Sequence, residues 1–201
     1  MDESKNKVEE LLRRVKMTTS SRYGASERLN FHNKATQWTI AFISVALIFI
    51  PMAQAIGMDF GIKTQTLNFF QSVLAIMVLV YSLLLGQENF KSRSEAMHRN
   101  AVELGRFARK LRVYLDEHSN EEYSELVEEY YTILEKYENH SRVDYCKTAL
   151  KQKPKGALGW LSYTKLWLKT QLLDGREGVL YIPAWTFIVF VIYTLIDAPR
   201  V

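Results

Sequence analysis

"IFIPMAQAIGMDFGIKTQTLNFFQS", residues 48–72, begins oily, turns polar and becomes oily again. If this reversal lies inside a globular domain, the runs beside it are core elements. If it lies in water beyond a bilayer, everything before Gln37 and after Gly86 shares the near side. The fold turns on which reading holds.

The chain of 201 residues is 24% charged and 48% apolar, which is soluble on average, but its charges are segregated. No Asp, Glu, Lys or Arg occurs between Lys34 and Asp59, Lys63 and Glu88, or Glu177 and Asp197, gaps of 24, 24 and 19 residues. A bilayer span needs roughly 20 apolar residues at about 1.5 Å each, so the first two gaps suffice comfortably and the third narrowly. The first run, "WTIAFISVALIFIPMAQAIG" (38–57), has a rival reading as a signal peptide, because Ala53-Gln54-Ala55 imitates a cleavage site. The 37 residues before it are too many for an n-region, and the run is too long for an h-region. The second, "LNFFQSVLAIMVLVYSLLLG" (67–86), has no charge and no Pro. Soluble helices keep a polar face, and neither run does, which opposes a soluble core hairpin. The short link 58–66 makes the two helices antiparallel neighbours.

Basic residues set the expected orientation. Arg22, Arg28 and Lys34 precede the first run and Lys91, Arg93, Arg99 and Arg106 follow the second, whereas the link holds only Lys63. The N-terminus and the middle segment are therefore expected in the cytoplasm, with the protein in the inner membrane as a multi-pass chain. The third run, "GVLYIPAWTFIVFVIYTLI" (178–196), reads as a third span flanked by Tyr181, Trp185 and Tyr193. A membrane-embedded or interfacial hairpin, or a buried strand, remains open for it. The fold class expected is an all-α membrane protein with four parts. These are N-terminal helices over 1–37, a transmembrane helical hairpin over 38–86, a cytoplasmic helical region over 87–177 and the apolar segment 178–201.

In the hydrophilic parts, Val8, Leu11, Leu12 and Val15 form one helical stripe, which "MTTSS" (17–21) is expected to interrupt. The second span is expected to continue as a helix into Met97, Ala101, Leu104, Ala108, Leu111 and Leu115, a heptad seam. Ser119 with Glu122 reads as a capping box opening a helix through Tyr123, Leu126, Tyr130, Ile133 and Tyr137. Residues 91–112 carry seven basic and two acidic groups and 116–138 nine acidic and one basic, so these two helices are expected to pair. Further on, "KTALKQKPK" and "GALGWLSYTKLWLKTQLL" mix lysines, tryptophans and leucines; an interfacial helix on anionic lipid and a plain packed helix both fit.

Catalytic signatures are missing. His32, His98, His118 and His140 are dispersed without ligand spacing, and no Walker loop, G-x-S-x-G or G-x-G-x-x-G occurs. The single cysteine, Cys146, suits a reducing cytosol as a structural thiol, and a net charge of +4 is too mild to argue for direct nucleic-acid binding. No enzyme activity, cofactor or metal is expected. The spans carry a different signal. Asn68, Ser72, Ala75, Ser82 and Gly86 share a stripe broken by Leu79, with Gln71 beside its start, and Gln37, Ala41, Ser44, Pro51 and Ala55 share one broken by Ile48. Such faces permit close helix packing and interhelical hydrogen bonds within one chain, or part of them faces an assembled, water-filled lumen.

"TTSSRYGASERLNFHNKATQWTIAFISVALIFI" resembles the opening of the SLATT domains, two-transmembrane modules of prokaryotic conflict systems, and "YTILEKYENHSRVDY" resembles their closing segment. The resemblance covers about residues 8–150 and is closest to the branch associated with reverse transcriptases, leaving the third apolar run outside the two-span pattern. It implies an effector that oligomerises and perforates or depolarises the inner membrane when a separate sensor acts. That sensor would be a nucleotide second-messenger synthase or a reverse transcriptase, working directly or through a small-molecule signal. It marks Arg22, Ser26, Arg28 and Leu29 in the opening motif and Asn139, His140, Asp144 and Tyr145 in the closing one, where Asn139-His140 is expected to end a helix. The alternative function is a membrane anchor that recruits a partner enzyme and makes no pore.

Overall fold

A computed structural model describes residues 2–117, 123–152 and 160–197. The elements are α1 (Asp2–Ala55), α2 (Thr64–Glu88), α3 (Phe90–Glu117), α4 (Tyr123–Glu135), α5 (Arg142–Gln152), α6 (Trp160–Gly178), a 3-10 turn (Val179–Tyr181) and α7 (Ile182–Asp197). No strand occurs among the described residues, so the strand reading of the third apolar run falls. The Ser119–Glu122 capping box, residues 153–159 of the lysine-rich stretch and the last four residues lie outside the described ones. Two compact units divide the chain: Met1–Asn30 with Lys91–Asp174, and Phe31–Phe90 with Gly175–Val201.

In the first unit the N-terminal stripe is buried as expected. Val8, Leu11, Leu12 and Val15 pack with Leu104, Phe107 and Leu111 of α3 and Leu126, Tyr130 and Ile133 of α4. The expected break at "MTTSS" does not occur, and α1 runs unbroken for 54 residues. Thr18 and Thr19 donate their hydroxyls to the Arg14 and Val15 carbonyls at 3.0 and 2.7 Å. Polar side chains that bond back onto their own helix have no need of a turn. The complementary charges of α3 and α4 meet in Lys110–Glu129 at 2.9 Å; just past α4, Lys136 pairs the other way with Glu103 at 3.5 Å, and Asn100 Nδ2 donates to the Ile133 carbonyl at 3.0 Å. The exposed ion pairs fix register more than they stabilise.

In the second unit the opening stretch is a turn with readable chemistry. Gly57, at φ 80°, ends α1: its N–H bonds the Gln54 carbonyl at 3.1 Å and the Met58 N–H bonds the Ala53 carbonyl at 3.0 Å. That pair of bonds satisfies carbonyls a helix end leaves open and needs a left-handed residue, which glycine supplies. The Gly61 N–H then donates to Asp59 Oδ1 at 2.8 Å, and Phe60 folds onto Ala53 and Leu67. Helices α1 and α2 return antiparallel through Ile43, Ile50, Leu74 and Tyr81, and α7 joins them through Ala184 and Ile188. Tyr181 stacks near Tyr81, while Phe187 and Phe190 meet Phe70, so α7 runs alongside α1 and opposite to α2. The expected unbroken passage from the second span into the next helix is interrupted at Asn89, which is left-handed at φ 47° and ψ 39°. Asn tolerates that region because its short side chain bonds locally.

Among the described residues two helices are long and apolar enough to cross a membrane, with mean hydropathy of 1.8 and 2.1 in their most apolar windows, of which only 22% and 11% is buried. A soluble core helix would bury most of such a window. Pro51 sits inside α1, four residues before its end.

Candidate functional site

The structure gathers the motif residues from both ends of the first unit's sequence. Arg22, Ser26 and Arg28 project from α1; Asn139 and His140 lie in the α4–α5 connection; and Asp144 stands in the first turn of α5. Arg28 clasps Asp144 with two bonds, Nε to Oδ1 at 2.9 Å and Nη2 to Oδ2 at 3.1 Å. Oδ2 also accepts from the Ser141 N–H at 3.1 Å and the Ser141 hydroxyl at 2.9 Å. The Asp144 side chain is 0% exposed and that of Arg28 14%, so this ion pair works away from water. A fork-to-fork pair of this kind sets geometry as well as energy. Asp144 thereby starts α5 and ties it to α1.

Arg22 is wholly buried and has a different set of partners. It donates to the Glu138 carbonyl, to Met97 Sδ at 3.2 Å and to Asn139 Oδ1 at 3.4 Å. Its Nε has no partner among the described residues. Burial pushes the arginine's proton affinity down, with Glu138, Tyr130 and Asp144 pulling the other way. His140 has a buried Nδ1 without a hydrogen-bond partner among the described residues, and its pKa is lowered by burial first and by the Arg22 charge second, against Asp144. Ser26 shares its hydroxyl with Ser94 at 3.2 Å and accepts the Ser94 hydroxyl on its carbonyl at 2.8 Å. The expectation that Asn139-His140 ends a helix needs correction. Helix α4 stops at Glu135, and the two residues sit beyond it, Asn139 as an acceptor for Arg22. The arrangement holds the α4–α5 connection against the helix that becomes the first apolar run. No group of three or more His, Cys, Asp or Glu that could hold a metal occurs among the described residues.

The apolar unit sorts its polar residues onto two faces. The buried seam of α2 is Leu67, Leu74 and Tyr81. Asn68, Ser72, Ala75, Ser82 and Gly86 all point away from it and are exposed, as are Gln37, Ala41, Pro51 and Ala55 on α1, with Ser44 half-buried. The stripes are thus left over after the chain has packed on itself. Ser72 returns its hydroxyl to the Asn68 carbonyl at 3.0 Å. Gln71 departs from its stripe and turns inward, donating to Gln54 Oε1 at 3.0 Å. Gln71 therefore joins the two helices of the hairpin.

Sequence reasoning missed two constellations. Gln54 sat in the imitation cleavage site, although two amides on either side of a short link are a readable pairing signal in apolar helices. His32, 8% exposed, lies 3.2 Å through Nδ1 from the Tyr181 hydroxyl, which also meets Thr36 Oγ1 at 3.0 Å. Tyr181 was expected as an interfacial anchor and here pins the start of α7 to α1. Met97 and the Glu138 carbonyl, partners of Arg22, carried no sequence signal.

Among known proteins, a family model described as "SMODS and SLOG-associating 2TM effector domain family 5" matches residues 4–196. The match extends well past the stretch 8–150 and covers the third apolar run, within a family described by two spans. Neither the curated proteins nor the solved structures offer a match.

Proposed function

The chain belongs to the SLATT family of two-transmembrane effector domains, which places it among membrane effectors of conflict or defence systems, and we propose from that premise that it kills or arrests an infected cell by opening the inner membrane. In this reading the protein is antiviral and acts by abortive infection. Its apolar units assemble into a homo-oligomer whose outward Asn68, Ser72 and Ser82, with Gln37 and Ser44 of α1, face neighbouring subunits or a water-filled lumen. The observation that carries this is the exposure of Gln37, Asn68, Ser72 and Ser82 on two helices of spanning length. Polar side chains facing lipid are unfavourable, and a second subunit or water relieves them.

Both hydrophilic arms lie in the cytoplasm, where a separate sensor protein, a nucleotide second-messenger synthase or a reverse transcriptase, acts on the first unit directly or through its small-molecule product. Because Arg22 and Arg28 stand on the helix that continues into the first span, a displacement of residues 138–144 acts on that span. Helix α7 crosses as well. Its 16 residues and the three-residue turn before it reach about 30 Å, the thickness of a hydrocarbon core.

Expressing the protein with and without its neighbouring genes, while following a potential-sensitive dye, tests the reading. Depolarisation should precede arrest in triggered cells. A membrane that stays polarised in arrested cells sinks the proposal and leaves the scaffold that recruits an enzyme.

A further inference from the structure

Helix α6 is built the wrong way round for a packed helix. Among its described side chains only Thr170 is buried, and the Thr170 hydroxyl is bonded to the Leu166 carbonyl of its own helix at 2.7 Å. Lys165, Leu168, Lys169 and Leu172 recur at i, i+3, i+4 and i+7, so they share one stripe, and all four are exposed. Leu168 and Leu172 are 54% and 68% exposed, where a soluble amphipathic helix would turn leucines inward. No acidic residue occurs between Trp160 and Leu173, so the stripe is purely cationic in its charge.

The chain itself says what covers this face. From Leu172 only ten residues lead to Ile182, where α7 begins, and no loop intervenes beyond the 3-10 turn. The stripe therefore lies ten to seventeen residues before α7, about 15 to 25 Å along a helix, within reach of the membrane that α7 enters. Leucines that need an apolar medium, beside lysines that keep their heads in water and favour negative charge, match the boundary between acyl chains and anionic headgroups.

We propose that α6 is a lipid-docked helix whose Lys165–Leu168–Lys169–Leu172 stripe lies on the anionic headgroup layer. The proposal rests on the reading that the apolar helices span the bilayer. It supplies the hydrophilic unit with a second hold on the membrane, one sensitive to lipid charge.

The full chain with Cys146→Ala, carrying one nitroxide at a time, is reconstituted in phosphatidylcholine vesicles with and without phosphatidylglycerol. Labels at Leu168→Cys and Leu172→Cys should be relaxed by oxygen far more than by a water-soluble nickel chelate when anionic lipid is present, and Lys165→Glu with Lys169→Glu should reverse the preference. A label at Ile76→Cys on α2, 60% exposed, serves as the spanning reference, and one at Val113→Cys on α3, 51% exposed, as the water reference. If 168 and 172 behave like 113 while 76 remains in lipid, the docking proposal is overturned and the spanning reading survives. If 76 also behaves like 113, the spanning reading fails. Labels immobilised and shielded from both relaxants mean that a second copy or another protein covers the stripe, which also overturns the proposal. In the unsubstituted protein, acetylation of Lys165 and Lys169 by a water-soluble reagent should slow roughly fivefold on adding anionic lipid. Equal rates in both vesicles contradict lipid docking without any substitution.

Discussion

Asp144→Asn should open helix α5, and the lone cysteine reports it. Cys146 is buried two residues beyond Asp144 on the same helix, so a thiol reagent reaches it only when α5 detaches. The native carboxylate accepts four bonds, two from Arg28 and two from Ser141. Asparagine keeps the shape but places an NH₂ against groups that are themselves donors, and it leaves the Arg28 charge in a site where that side chain is 14% exposed. Removing one member of a buried pair costs about 3 kcal/mol or more, which is roughly a hundredfold in the opening equilibrium. The labelling rate of the full chain in detergent, divided by its rate in denaturant, should rise by about that factor. Glu129→Gln, which breaks the exposed Lys110 pair, should change it less than about fivefold. Arg28→Met with Asp144→Leu, which discharges both sides together, should restore most of the protection. An Asp144→Asn protein that stays helical and labels within about threefold of wild type would refute the reasoning, because the buried pair would then carry no differential stability.

The same readout tests His140. Its pKa is held below the usual 6.5 by burial and by the Arg22 charge, so on acidification the unfolded chain takes up a proton that the native imidazole refuses. Stability is therefore flat above the ordinary histidine range and falls as pH drops through it; normalised Cys146 labelling should quicken between about pH 7.5 and 5.5, and His140→Phe should flatten the curve. Ser72→Leu with Ser82→Leu leaves the buried seam of α2 untouched, so membrane content should be unchanged while dye-detected depolarisation in triggered cells disappears. Survival of depolarisation would mean that these serines line no lumen.

What was legible in the sequence followed from periodicity and charge, which are local. The charge-free runs, the short link 58–66, the N-terminal stripe and the α3 seam all reappear, since each depends on residues within one or two turns of each other. The breaks were misjudged where a side chain altered the backbone balance. "MTTSS" carries poor helix formers, yet Thr18 and Thr19 bond inward and the helix continues; one asparagine, Asn89, suffices to end a helix without Gly or Pro. The motif residues were readable as a set but not as a geometry, because Arg28 and Asp144 are 116 positions apart.

That long-range pairing also bears on how the chain could act. The Arg28–Asp144 pair is matched in charge and well bonded, while six residues earlier on the same helix Arg22 is buried against neutral acceptors with its Nε unpartnered. The paired charge fixes the α4–α5 segment in place, while Arg22 holds residues 138 and 139 through neutral acceptors at a larger desolvation cost, offset in part by the nearby Glu138 and Asp144 charges. The segment is thus held by both arginines, strongly by Arg28 and at a higher desolvation cost by Arg22, both standing on the helix that leads into the first apolar run.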